Sequence, residues 1–179
     1  MKRFGSAVLL GAVAALVAGL PGSAQAQARG YVMLGGGLAI PVGDYKDAGA
    51  KTGWLGQVAG GVTSGVIGGR ISGSFIRNGA ENSDEHVRIL GAMADLTVSP
   101  RMTGKVAPYL LGGVGVQNGK SSVAGAESDT KFAWNAGAGL GLMAGSIGLF
   151  IEGRFLSINT EGAKTNLIPI TVGIKLGGH

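Results

Sequence analysis

Eight segments of ten to twelve residues, several of them alternating large apolar side chains with small or polar ones, run through this chain: Tyr31–Val42, Trp54–Thr63, Val66–Arg77, Val87–Val98, Val106–Gln117, Phe132–Met143, Ile147–Ile158 and Leu167–Leu176. A period of two is the signature of a strand with one face buried in an apolar medium. The length narrows the choice further. A strand crossing a bilayer needs about 9–11 residues, whereas soluble strands average nearer 5–6. In the last segment Ile168, Ile170, Val172, Ile174 and Leu176 share one face, opposite Pro169, Thr171, Gly173 and Lys175. In the sixth, Phe132, Trp134, Ala136, Ala138, Leu140 and Leu142 oppose Ala133, Asn135, Gly137, Gly139 and Gly141. The third sets Ile71 and Phe75 against Arg70, Ser72 and Ser74, and the seventh sets Ile147, Leu149, Ile151 and Phe155 against Glu152 and Arg154.

Connections between the segments alternate in length. Long polar ones fall at Gly43–Gly53, Asn78–His86, Asn118–Lys131 and Asn159–Asn166, and short ones at Ser64-Gly65, Ser99–Lys105 and Ala144–Ser146. Long loops at one end and short turns at the other are the pattern of an outer-membrane barrel. The expected fold is therefore all-β: an eight-stranded antiparallel up-and-down transmembrane β-barrel. Closure removes the sheet edges, which hydrocarbon does not tolerate.

Charge placement decides which face meets lipid. Only Arg70, Asp95, Glu152, Arg154 and Lys175 lie mid-segment, and alternation puts all of them on the small-residue face. A soluble barrel would carry Lys and Glu repeatedly on its outer face. The greasy face is thus expected outside and a narrow polar face inside.

The 36 glycines fit this reading. In helices each would cost about 1 kcal/mol relative to Ala, and there is no collagen-like period. In a curved sheet, glycine permits bends and close approach. The chain contains no cysteine, so disulfides play no part in the fold.

Residues 1–26 have the form of a cleaved export signal. Lys2 and Arg3 precede an apolar run from Ala7 to Leu20, and Ala24 and Ala26 satisfy the small-x-small cleavage rule. Residues 27–179 would then form the barrel domain. Loss of Lys2 and Arg3 lowers the formal charge from +5 to +3. The remaining cations form no basic stripe with interleaved aromatics, so nucleic acid is not an expected partner.

The runs Gly35-Gly36-Gly37-Leu38-Ala39-Ile40-Pro41-Val42-Gly43-Asp44-Tyr45, Ala107-Pro108-Tyr109-Leu110-Leu111-Gly112-Gly113-Val114-Gly115-Val116 and Ile168-Pro169-Ile170-Thr171-Val172-Gly173-Ile174-Lys175-Leu176 resemble the OmpA/opacity-type outer-membrane β-barrel family. The resemblance covers the whole of residues 27–179. It implies a small eight-stranded barrel with both termini in the periplasm, and no enzymatic activity. Many members end on an aromatic residue that the assembly machinery recognises, whereas this sequence ends Leu176-Gly177-Gly178-His179. The expected partners are outer-membrane lipid and, during insertion, the barrel assembly machinery. A monomer without metal or cofactor is expected.

Two constellations stand out. The inward charges are expected to form a lumen ion-pair network: Arg70 with Asp95 across one hairpin, and Glu152 within a diagonal of Lys175, with Arg154 one step above. Charges in a narrow interior must be paired, and on this reading Arg154→Ala leaves Glu152 uncompensated. Eight strands leave room for side chains rather than for an open pore. The second group, Trp54, Phe75, Phe132, Trp134 and Phe155, lies on the greasy face toward the long loops, as an interfacial aromatic girdle would.

Signals for chemistry are weak. His86 follows Ser83-Asp84-Glu85, but neighbours in a loop do not define a nucleophile and base. The Gly139–Ala144 run matches a relaxed dinucleotide fingerprint without the βαβ unit it needs. The leading functional expectation is a non-enzymatic structural or surface-exposed outer-membrane protein acting through four long extracellular loops. Two others compete with it: a membrane-embedded lipid-modifying enzyme, and a soluble periplasmic barrel with its greasy face turned inward on an apolar ligand.

Overall fold

A computed structural model describes residues 28–79, 86–100, 105–121, 129–144, 147–160 and 163–178. The proposed leader with Ala24 and Ala26 lies outside the described residues, as do Ser83, Asp84 and Glu85. Eight strands follow in order: β1 (Arg29–Val42), β2 (Gly53–Ser64), β3 (Ile67–Gly79), β4 (His86–Val98), β5 (Val106–Ser121), β6 (Asp129–Ala144), β7 (Ile147–Thr160) and β8 (Ala163–Gly177). One helical turn, α1 (Asp44–Asp47), stands between β1 and β2. Each strand pairs antiparallel with its neighbours in sequence, and β8 returns to β1 to close the barrel.

Closure is staggered. The ladders run from Val32 through Gly60, Ile71, Ala94, Val114, Trp134, Ser157 and Asn166, and re-enter β1 at Val42, ten residues from where they began. This shear tilts the strands and sets a bore that side chains fill. The upper end carries α1, while the start of β1 at Arg29 and the end of β8 at Gly177 lie at the lower end.

The apolar side chains face out. Val32, Leu34, Leu90, Leu96, Leu110, Val114, Leu140, Leu149, Ile151 and Val172 are all exposed, and their sheet-mates Arg70, Asp95, Gln117, Asn135, Glu152 and Thr171 are buried. A water-soluble barrel would invert this. Hydrocarbon is the solvent that favours it, so the soluble barrel with an inward greasy face is overturned.

Two expectations about the connections need correction. Strand pairing runs past the apolar segments, leaving only residues 161–162 between β7 and β8, where Asn159–Asn166 was expected as a long loop. The Asn118–Lys131 loop likewise shrinks to 122–128, because Gln117, Asn118 and Gly119 pair with Lys131, Thr130 and Asp129. Turn-type composition reads these residues as loop, but a partner strand already in register makes continued backbone pairing favourable. At the lower end β2 and β3 join through Gly65-Val66, with Gly65 at φ 64° as a tight hairpin requires.

The interior is layered, not polar throughout as expected. Ala39, Leu55, Ile76, Ile89, Met93, Ala133, Leu156, Ile158 and Leu167 form an upper apolar layer. Tyr31, Met33, Ala59 and Phe150 form a lower one. Arg70, Asp95, Glu152 and Arg154 lie between them.

Candidate functional site

The middle of the lumen is organised around Arg70, which extends inward from β3 and is 1% exposed. Asp95 is its direct cross-strand partner on β4. Arg70 Nε and Nη2 donate to Asp95 Oδ2 at 3.1 and 2.9 Å. Its other edge crosses the bore to β7, where Nη1 donates to Glu152 Oε2 at 2.6 Å and Nη2 to Oε1 at 3.3 Å. A planar guanidinium fork suits this double engagement.

The carboxylates are satisfied from further strands. Tyr109 Oη on β5 donates to Glu152 Oε2 at 2.8 Å. Arg154 Nε lies 3.2 Å from Glu152 Oε1, and its Nη2 donates to Gln57 Oε1 on β2. Asn135 Nδ2 on β6 donates to Asp95 Oδ1 at 2.8 Å. Two arginines against two carboxylates make the group formally neutral. That balance is what a low-dielectric interior demands.

Of the expected lumen residues, Arg70, Asp95, Glu152 and Arg154 therefore lie together. Lys175 does not join them. It is paired with Gly148 on β7, whereas Glu152 is paired with Thr171, four residues higher on β8. The Lys175 ammonium instead sits 4.2 Å from the centroid of the Tyr31 ring, in the lower layer, as a cation–π contact. The expectation for Arg154→Ala also changes, because Glu152 would keep Arg70 and Tyr109.

Alternation alone did not identify Gln57, Tyr109 and Asn135 as members of the cluster, although it places all three inward. What it lacks is the stagger, which determines which inward residues share a height. The strands are joined closely enough that added atoms would collide: a Cβ at Gly139 would lie 2.8 Å from Tyr109 Cε1 and closer still to Cζ. Outward Gly153 has nothing within 4 Å of such an atom.

The five aromatics take their places on the outer wall. Trp54, Phe132, Trp134 and Phe155 are exposed and Phe75 is half-buried. Four of them pack as two tilted pairs, Trp54 with Phe75 at 5.3 Å and Trp134 with Phe155 at 5.6 Å between centroids. At the upper mouth, Tyr45 of α1 packs against the upper apolar layer, and burial raises its phenol pKa above the usual value. Asn78 ties the same mouth together, its Nδ2 donating to the carbonyls of Ala39 and Lys51 at 3.1 and 2.8 Å. His86 opens β4 and accepts a 3.2 Å hydrogen bond from Arg88 Nε. Among the described residues no cluster of His, Cys, Asp and Glu is arranged to hold a metal ion.

Comparison with known proteins follows the geometry. No curated protein matches the sequence. Neisserial surface protein A shares 14% identity at a TM-score of 0.69, over 82% of this chain and 96% of that one. Ail, the attachment invasion locus protein of Yersinia pestis, shares 19% identity at a TM-score of 0.55, over 84% and 99%. The N-terminal barrel domain of Pseudomonas aeruginosa OprF shares 13% identity at a TM-score of 0.53, over 84% and 97%. These likenesses establish the fold. The family model for the outer membrane protein beta-barrel domain matches residues 12–175, and the chain belongs to that family of outer-membrane barrels.

Proposed function

We propose that this outer-membrane barrel is a closed, non-enzymatic surface protein, whose contacts are made by its rim and upper connections and not by its bore. The observation that carries this reading is the filled interior. An ion-paired layer centred on buried Arg70 lies between two apolar layers, one of them built from Leu55, Ile76, Ile89 and Leu167. An ion entering from above would meet a dehydrated apolar layer before reaching any charge. The upper surface available for contact includes the Gly43–Thr52 connection, whose backbone is fastened to β3 by Lys51 N–H donating to the Gly79 carbonyl at 2.8 Å.

Planar-bilayer recording of the purified full chain tests this reading directly. No stepwise conductance is expected at moderate voltage, and Lys46 and Lys51 should react with an impermeant amine reagent on intact cells. Discrete channels in the wild-type protein would overturn the closed-bore reading. A lipid profile that changes on His86→Ala would overturn the non-enzymatic one.

A further inference from the structure

Register places three cations side by side on the outside of the upper wall. Arg77 on β3 is the direct partner of Arg88 on β4, and Arg88 is the direct partner of Lys120 on β5. All three are exposed. Like charges directly opposite each other destabilise a sheet, and no carboxylate among the described residues forms an ion pair with any of the three. Arg88 contacts His86, itself a nitrogen acceptor and no counter-charge. The neighbouring hairpin is built differently, with Lys131 beside Asp129 at 2.7 Å.

What lies below the ladder fixes its height in the membrane. Two residues down each strand on the same outward face stand Phe75, Leu90 and Asn118, and Val116 follows below Asn118. Leu90 is 62% exposed to the lipid side. Trp54, the cross-strand partner of Arg77, packs on Phe75. Cations immediately above an aromatic and aliphatic band stand at the headgroup level. Guanidinium groups there meet phosphate oxygens in bidentate geometry.

We infer that Arg77, Arg88 and Lys120 form a binding site for the phosphate headgroup of an anionic membrane lipid, with its acyl chains on Phe75, Leu90 and Val116. The bound phosphate supplies a counter-charge that no described residue gives these three cations. A dianionic phosphomonoester fits three cations better than a zwitterionic phosphodiester does.

The experiment uses the full chain in neutral detergent, titrated with dihexanoyl phosphatidic acid, dihexanoyl phosphatidylcholine or inorganic phosphate, with retained ligand counted by native mass spectrometry. Phosphatidic acid should bind at least about tenfold more tightly than phosphatidylcholine. Arg77→Gln, Arg88→Gln and Lys120→Gln should each weaken it about fivefold, the worth of one cation near a lipid surface. Arg77→Lys should recover most of the loss, and Lys46→Gln on α1 should change nothing. Folding of each variant is checked by heat-modifiable mobility, and salt weakening of wild-type binding provides a measurement independent of the variants. Equal retention of both lipids would overturn the site. Inorganic phosphate binding as tightly as the lipid would overturn its assignment to a membrane headgroup, as would a soluble sulfated polysaccharide that binds through the same residues while phosphatidic acid does not.

Discussion

Arg70 joins three strands through one side chain: it starts on β3, closes on Asp95 of β4 and reaches Glu152 of β7. Arg154 shares only Glu152 with it. Removing Arg70 would leave two buried carboxylates facing across the bore, with Arg154 as the nearest cation. Arg70→Ala is therefore expected to lower the unfolding free energy by about 3–5 kcal/mol, as loss of one partner from a buried pair does. Arg154→Ala should cost nearer 2 kcal/mol, since Glu152 keeps Arg70 and the Tyr109 hydroxyl. Urea unfolding in liposomes, followed by tryptophan emission, ranks the two. An equal or reversed order would show that the network is not centred on Arg70. The Arg70–Asp95 pair was legible in the sequence because a hairpin fixes cross-strand partners locally. The Glu152 contact was not, because it spans 82 residues and depends on how the barrel closes.

Among the elements, the eight strands were legible from their period and their ends were not. Apolar alternation marks the stretch of strand that lipid touches, whereas pairing continues as long as a neighbouring strand offers backbone groups. This is why β6 begins at Asp129 and β8 at Ala163. The helical turn α1 left no signal of its own, being too short for a helical repeat. It is held by Tyr45, whose ring packs on the upper apolar layer while its buried hydroxyl has no hydrogen-bond partner among the described residues. Burial raises the phenol above its ordinary pKa of 10.0, so the docked state is the protonated one. Docking should keep its full strength below pH 10.0 and weaken as pH climbs through the raised value. The mobility of a spin label attached at Lys46→Cys, followed against pH, should rise with an acceleration above that point in the otherwise wild-type protein. In Tyr45→Phe the acceleration should vanish; if it persists, another group controls the mouth.

At the scale of the whole molecule, the outer wall is what a soluble protein would bury. Val114 is 52% exposed midway along β5, between outward Ala94 and Trp134 on its neighbours. Val114→Arg should destabilise the barrel in liposomes by about 2–4 kcal/mol, the cost of a cation at the mid-depth of a lipid-facing wall. Val114→Leu should be nearly neutral. A neutral arginine, measured by the same urea titration, would place this position outside the hydrocarbon.

The sequence by itself determined the number of strands, the face each turns to lipid and the pairing of neighbours, because period and hairpin adjacency are local properties. It also determined that charges such as Arg70 and Glu152 point inward. Only the tertiary structure decided which inward residues meet: the ten-residue stagger of the closed barrel brings Glu152 to Arg70, leaves Lys175 over Tyr31, and fills both ends of the bore with apolar side chains. Contacts across a bore are set by closure, and closure is a property of all eight ladders together.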